Sequence, residues 1–164
     1  MQHLSMLLLA VLIISCGKNS SGGSDSSGNG YVSPIVQEDS AKEALLSLIN
    51  KQRQAARVPR LVRMEVMDME ADIHAQDMSD GRVPYGHFGV NERCLRSRRT
   101  IGGGGLCGEL IARDEPNAQA AFDSWNMRTG TRLQLTDARF NRIGIGVGSD
   151  RMGRVYWTVV LLQQ

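Results

Sequence analysis

The chain has 164 residues and a formal net charge of +2, a balance too small to indicate a nucleic-acid partner or a strongly acidic one. After one short apolar run near the N-terminus, no stretch approaches the ~20 apolar residues that crossing a bilayer requires. With roughly the first forty residues set aside, the remainder has the size of one ordinary domain.

Residues Leu7 to Ile14 read LLLAVLII, an unbroken apolar run of signal-peptide length and too short to span a membrane. Ser15 and Cys16 follow at once, and Ile13-Ile14-Ser15-Cys16 resembles the bacterial lipobox, in which the Cys thiol is acylated and becomes the new N-terminus. The segment before the run, MQHLS, has no Lys or Arg. Residues 1–16 are therefore expected to be a lipoprotein signal peptide, and lipid on Cys16 is the expected link to a membrane. Residues 17–39 open with the tract GKNSSGGSDSSGNG, which has no apolar side chains to offset its ordering entropy and reads as a flexible tether. The expected location is extracytoplasmic, anchored in a bacterial envelope. By analogy with known lipoproteins, Gly17 after the Cys favours the outer membrane.

Residues 40–164 carry the folded domain. Ser40 with Glu43 three residues later reads as a capping box opening a helix, and Leu45, Leu48 and Ile49 fall on one face of it. Val58-Pro59 ends it. A second helix is expected from Met64 to Asp80, stopped by Gly81, with Met67, Ala71, His74 and Met78 on its core stripe. Met64, Met67, Met69 and Met78 read as core filler. Residues Gly86 to Gly108 read as a loop. A third helix, NAQAAFDSWNM, follows Pro116 and buries Ala118, Ala121, Phe122 and Trp125. Ile143–Val147 and Val155–Leu162 read as strands joined by a turn at Gly148 to Gly153. Helices followed by a terminal hairpin indicate an α+β layered domain.

Cys94 and Cys107 are the two cysteines left once Cys16 carries lipid. In an oxidising compartment they are expected to pair, closing a glycine-rich loop. A metal site is the rival reading, with two thiols but no CxxC spacing. Arg93, Arg96, Arg98 and Arg99 make a locally basic run that is either a solvated loop or an anion-binding patch. Gly102 to Gly105 is not a phosphate loop, because no Lys-Ser/Thr follows it.

Several short motifs occur in a fixed order: Leu48-Ile49-Asn50-x-x-Arg53, Leu61, Met67-x-x-x-Ala71-x-x-His74-Ala75-x-x-Met78, Gly86-His87-Phe88-Gly89 with Arg93, Gly108-Glu109-Leu110-Ile111-Ala112, Trp125, Arg132, Phe140-x-x-Ile143-Gly144-Ile145-Gly146-Val147 and Tyr156-Trp157-Thr158. Together, from about Ala41 to Leu162, they resemble the bacterial branch of the CAP superfamily, the SCP-like domains of cysteine-rich secretory, antigen 5 and pathogenesis-related 1 proteins. The resemblance implies an α-β-α sandwich, with a central, mostly antiparallel sheet between helical layers and a cleft lined by His and Glu.

His87 and Glu109 match the cleft His and Glu of that family. As an imidazole and a carboxylate they are candidate ligands for a divalent metal such as Zn²⁺, or a base and its partner. The alternative is that His87 hydrogen-bonds Glu109 and pins its loop to the sheet. Thr131 stands where the family's further cleft His is expected, and Leu110 replaces an Asn. His74 reads as a satisfied buried histidine. Glu92 is a candidate substitute ligand from a neighbouring loop. No Ser or Cys can be placed beside His87 as a nucleophile, and no G-x-S-x-G elbow occurs. The expected function is a non-catalytic module binding an unknown cleft ligand: a lipid, a peptidoglycan fragment or a protein. The alternative is a hydrolase of protease type, or a metal-dependent activity, using His87 and Glu109.

Overall fold

The computed structural model describes residues 34–164. The signal-peptide and lipobox reading, with most of the tether, lies outside the described residues. The elements in chain order are α1 (Pro34–Ala55), β1 (Val62–Arg63), α2 (Glu65–Ser79), α3 (Val90–Ile101), β2 (Cys107–Arg113), α4 (Ala118–Asn126), α5 (Thr129–Leu135), β3 (Arg142–Ser149) and β4 (Val155–Leu162). The strands form one sheet in the order β1-β3-β4-β2, with β1 parallel to β3 and the other pairs antiparallel. The α+β sandwich and its mostly antiparallel sheet are as the sequence indicates.

Strand side chains alternate between faces, and here the two faces hold different cores. Ile143 and Ile145 of β3, Trp157, Val159 and Leu161 of β4, and Leu110 and Ala112 of β2 pack with Leu45 and Ile49 of α1 and Phe122 and Trp125 of α4. On the opposite face Val160 and Leu162 meet Met67 and Ala71 of α2. Both indoles also find acceptors: Trp125 Nε1 donates to the Ile111 carbonyl and Trp157 Nε1 to that of Glu115. The amphipathic indole is thereby satisfied at its polar edge while the ring fills the core.

The run Gly144-Ile145-Gly146-Val147-Gly148 lets α2 lie directly on β3. An added Cβ at Gly144 would fall 2.4 Å from the Met67 backbone, at Gly146 2.1 Å from Ala71, and at Gly148 3.0 Å from Ala75. Two strand residues advance about 6.6 Å and four helix residues about 6.0 Å, so the glycine and helix repeats stay nearly in step. The same helix closes the sheet edge. Strand β1 pairs β3 only at Arg142 and Ile143. Beyond it Asp68 accepts from the Ile145 N–H at 2.7 Å and Asp72 from that of Val147 at 3.1 Å. Two carboxylates one helical turn apart thus continue the ladder that a longer strand would supply.

Asn50 and Arg53 fasten the other side. The Asn50 amide both donates to and accepts from the Leu61 backbone. Arg53, fully buried, donates to the carbonyls of Pro59, Leu135, Asp137 and Phe140. Burial without a contacting carboxylate lowers its pKa from the ordinary guanidinium value.

Three local expectations are corrected. Helix α1 begins at Pro34, so Ser40 is not its cap, and Glu43 pairs instead with Arg63. The stretch read as a loop from Gly86 to Gly108 contains α3, whose buried side chains are Arg93, Cys94 and Ser97. A helix whose inner face is polar leaves no apolar periodicity to read. Met69 is not core filler: it is 61 % exposed, whereas Met67 and Met78 are buried. The short helix α5 had no counterpart in the sequence reading, since its opening Thr-Gly-Thr has weak helix propensity.

Candidate functional site

Glu109 lies on the α2 face of β2, opposite Val160, and three elements converge on it. Arg93, in the first turn of α3, donates Nε to Oε2 at 2.7 Å and a terminal nitrogen to Oε1 at 2.9 Å. From the loop between α2 and α3, His87 Nδ1 donates to Oε1 at 2.8 Å. His74 of α2 approaches Oε1 at 3.9 Å, too far for a hydrogen bond. The Glu109 side chain is 1 % exposed and that of Arg93 6 %, while His87 is 54 % exposed. A buried carboxylate is therefore neutralised by a two-bond guanidinium fork, the strong geometry for such a pair.

His74 holds the loop from below. Its Nε2–H donates to the Gly86 carbonyl at 2.9 Å, next to His87. Burial, reinforced by the positive charge of Arg93, lowers its pKa from the ordinary value, so it is neutral near pH 7. The satisfied-histidine reading of His74 is what the structure contains. Arg93 adds a second restraint by donating to the Phe88 carbonyl at 2.7 Å.

Cys94 and Cys107 form a disulfide. It joins α3 beside Arg93 to β2 two residues before Glu109, and so ties together the two elements that carry the ion pair. The segment it encloses is helical up to Ile101 rather than irregular. The basic run resolves along α3: Arg93 pairs Glu109, Arg96 pairs Glu70 at 2.7 Å, Arg99 is exposed, and Arg98 turns toward a cleft.

That cleft encloses about 670 Å³ and is lined by His87, Asn91, Leu95, Arg98, Glu109 and Gln134, together with the disulfide. His87 and Glu109 thus line the same cleft. Thr131 does not act there: its hydroxyl donates to the carbonyls of Trp125 and Arg128. Gln134, a turn further along α5, is the cleft residue from that helix. Glu92 lines a separate depression beside Phe88 and Arg96. Gln134 and Asn91 escaped the sequence reading because both lie on helices it did not resolve.

The donor set does not fit a zinc centre built on His87 and Glu109. Both carboxylate oxygens already accept hydrogen bonds, and freeing them would strand a buried guanidinium. Among the described residues no group of three or more His, Cys, Asp or Glu side chains is arranged to hold a metal ion. Because His87 Nδ1 carries the proton given to Glu109, Nε2 of this half-exposed side chain is the nitrogen left for a ligand.

Helical layers on both faces of this sheet, and a His-Glu cleft at one end, are the features of an SCP-like domain. The model of the CAP family, the cysteine-rich secretory protein family, matches residues 46–161, and the chain belongs to that family. No curated protein matches the sequence significantly. Among solved structures, an extracellular SCP-domain protein of Bacillus anthracis is similar at 24 % identity and a TM-score of 0.65, covering 82 % of this chain and 45 % of that one. A cysteine-rich secretory protein of Staphylococcus aureus gives 13 % identity and 0.64, covering 80 % and 40 %. An outer surface protein of Borrelia burgdorferi gives 15 % and 0.64, covering 74 % and 91 %. The chain spans less than half the length of the first two.

Proposed function

We propose that this chain is an extracytoplasmic CAP module, tethered to a bacterial envelope through lipid on Cys16, whose cleft binds a ligand or partner without turning it over. The observation that carries the non-catalytic part is the commitment of Glu109 to Arg93 at 2.7 and 2.9 Å. The cleft lining also offers no hydroxyl nucleophile, and its two cysteines are oxidised. Export is supported by the LLLAVLII run ending at Cys16, by the disulfide, and by likeness to proteins described as extracellular or outer-surface.

One geometric feature favours a second reading. A carboxylate bonded to Nδ1 while Nε2 stays exposed is how a general-base histidine is oriented, so His87 with Glu109 would activate water in a hydrolase. The two readings separate in assays on peptide and ester substrates. General-base catalysis contributes about 10² to 10⁴ in rate, so a hydrolase loses that factor on His87→Ala. The binding reading expects wild type and variant to be indistinguishable from buffer. Acylation is tested separately: Cys16→Ser should lose lipid labelling and membrane-fraction association, and persistence of both would remove the tether.

A further inference from the structure

Arg98 differs from Arg93 and Arg96 on α3, and from the exposed Arg99 in facing the cleft. Arg93 is paired with Glu109 and Arg96 with Glu70, but Arg98 makes no ion pair among the described residues. It lines the cleft, and its Nε is shielded from solvent with no hydrogen-bond partner. A donor withdrawn from water with no acceptor calls for an explanation, and a missing ligand is one. Two further donors line the same cleft: the side-chain amides of Asn91 and Gln134, neither bonded to another described residue. Gln134 is seated over Gly108, where an added Cβ would fall 2.2 Å from its Nε2.

The charge of the cleft sets what these donors can receive. Among the described residues that line it, Glu109 is the one acidic side chain, and it is neutralised by Arg93. Arg98 therefore leaves the cleft with one uncompensated positive charge. We infer that the cleft is a receptor for a singly charged oxyanion, a carboxylate or a phosphodiester, gripped by the Arg98 guanidinium with the Gln134 and Asn91 amides completing its acceptors. This rests on the binding reading above and names the ligand class. A guanidinium presents parallel N–H groups that match two oxygens of such a group. A doubly charged phosphate monoester would bring a second negative charge that no further positive group among the described cleft residues meets. Leu95, Val90 and the disulfide supply an apolar wall for the part of the ligand next to the anion.

The test is a titration of the full chain, followed through the Arg98 Nε–H and the Gln134 and Asn91 amide resonances. The probes are N-acetyl-alanyl-alanine, its C-terminal amide, and glycerophosphoglycerol. At least one anionic probe should shift these resonances, with the neutral amide far weaker. The tighter anion then identifies the source as a peptide carboxylate or a lipid headgroup. Arg98→Gln should weaken that binding about tenfold or more, the usual worth of a charge-assisted contact, while Arg99→Gln on the same helix leaves it unchanged. If the neutral amide binds as well as the acid and Arg98→Gln has no effect, the oxyanion assignment falls and cleft binding stands. If no probe moves any cleft resonance at millimolar concentration, the oxyanion assignment is overturned. The broader binding reading then still has its own assay, the comparison of wild type with His87→Ala.

Discussion

Arg93 and Glu109 form a fork of two hydrogen bonds, 2.7 and 2.9 Å long, with both side chains withdrawn from solvent. Removing one partner of such a pair costs about 3–5 kcal/mol, because the other is left charged and buried. Arg93→Met should therefore lower unfolding free energy by roughly that amount in urea titration. The double variant Arg93→Met, Glu109→Gln should lose less than Arg93→Met alone. A single variant within about 1 kcal/mol of wild type would show the pair to be solvated.

Helix α2 and strand β3 are in backbone contact at Gly146 and Ala71, where an added methyl would meet backbone atoms at 2.1 to 2.3 Å. Backbone cannot step aside as a side chain can, so Gly146→Ala should cost about 3 kcal/mol or more, the upper range for overpacking. At Gly148 the corresponding approach is 3.0 Å, and Gly148→Ala should cost distinctly less. Equal losses in thermal or urea unfolding would mean that α2 does not rest on β3 in this register.

The glycine stripe shows what the sequence could and could not convey. The Ile143–Val147 run marked a strand, and the i, i+4, i+7 stripe through Met67, Ala71 and His74 marked a helix with one face toward the core. That the glycines seat this helix on that strand was not legible, since a missing side chain leaves no apolar signal. The terminal hairpin and the burial of Trp125 were legible because apolar periodicity reports burial, whereas the mostly antiparallel sheet followed from the family resemblance. Helix α3 was not legible, because it buries Arg93 and Ser97 and points Leu95 outward. Glu109 and His87 could be placed in one cleft from the family resemblance that the motifs carry. Their relation to Arg93 could not, since an ion pair between a helix and a strand leaves no local periodic trace.

His74 gives the fold a pH dependence with a defined sign. Burial lowers its folded-state pKa below the ordinary histidine value of 6.5, so the unfolded chain binds the proton more readily. Stability is then full above that value and falls as pH drops below it. Asp68 opposes this at lower pH: burial raises its pKa above 3.8, which favours the folded state as acid is added. Comparison with His74→Gln, whose amide can still donate to the Gly86 carbonyl, isolates the histidine. Wild type should lose stability relative to the variant as pH falls from 7 through 6.5 and below. Parallel pH profiles would contradict a neutral buried His74.

The disulfide between Cys94 and Cys107 closes a loop of sequence separation 13, for which chain entropy predicts ~3 kcal/mol of stabilisation. Thiol labelling of denatured, unreduced protein should find neither cysteine free. Reduction should lower the urea midpoint without unfolding the domain at 25 °C. Labelling of both cysteines before reduction would refute the bridge.

Glu109 is held inside the protein by Arg93, with both carboxylate oxygens bonded and neither offered to a metal or a substrate. Calorimetric titration of the full chain with Zn²⁺ tests this most directly, because a tetrahedral centre needs three protein ligands with a water, or four. Among the described residues that line the cleft, His87 Nε2 is the one imidazole or carboxylate atom left without a protein partner, so weak heats that do not saturate at submicromolar metal are expected. Submicromolar binding abolished in both His87→Ala and Glu109→Gln would contradict it, since Glu109 would then have left Arg93 to bind the ion.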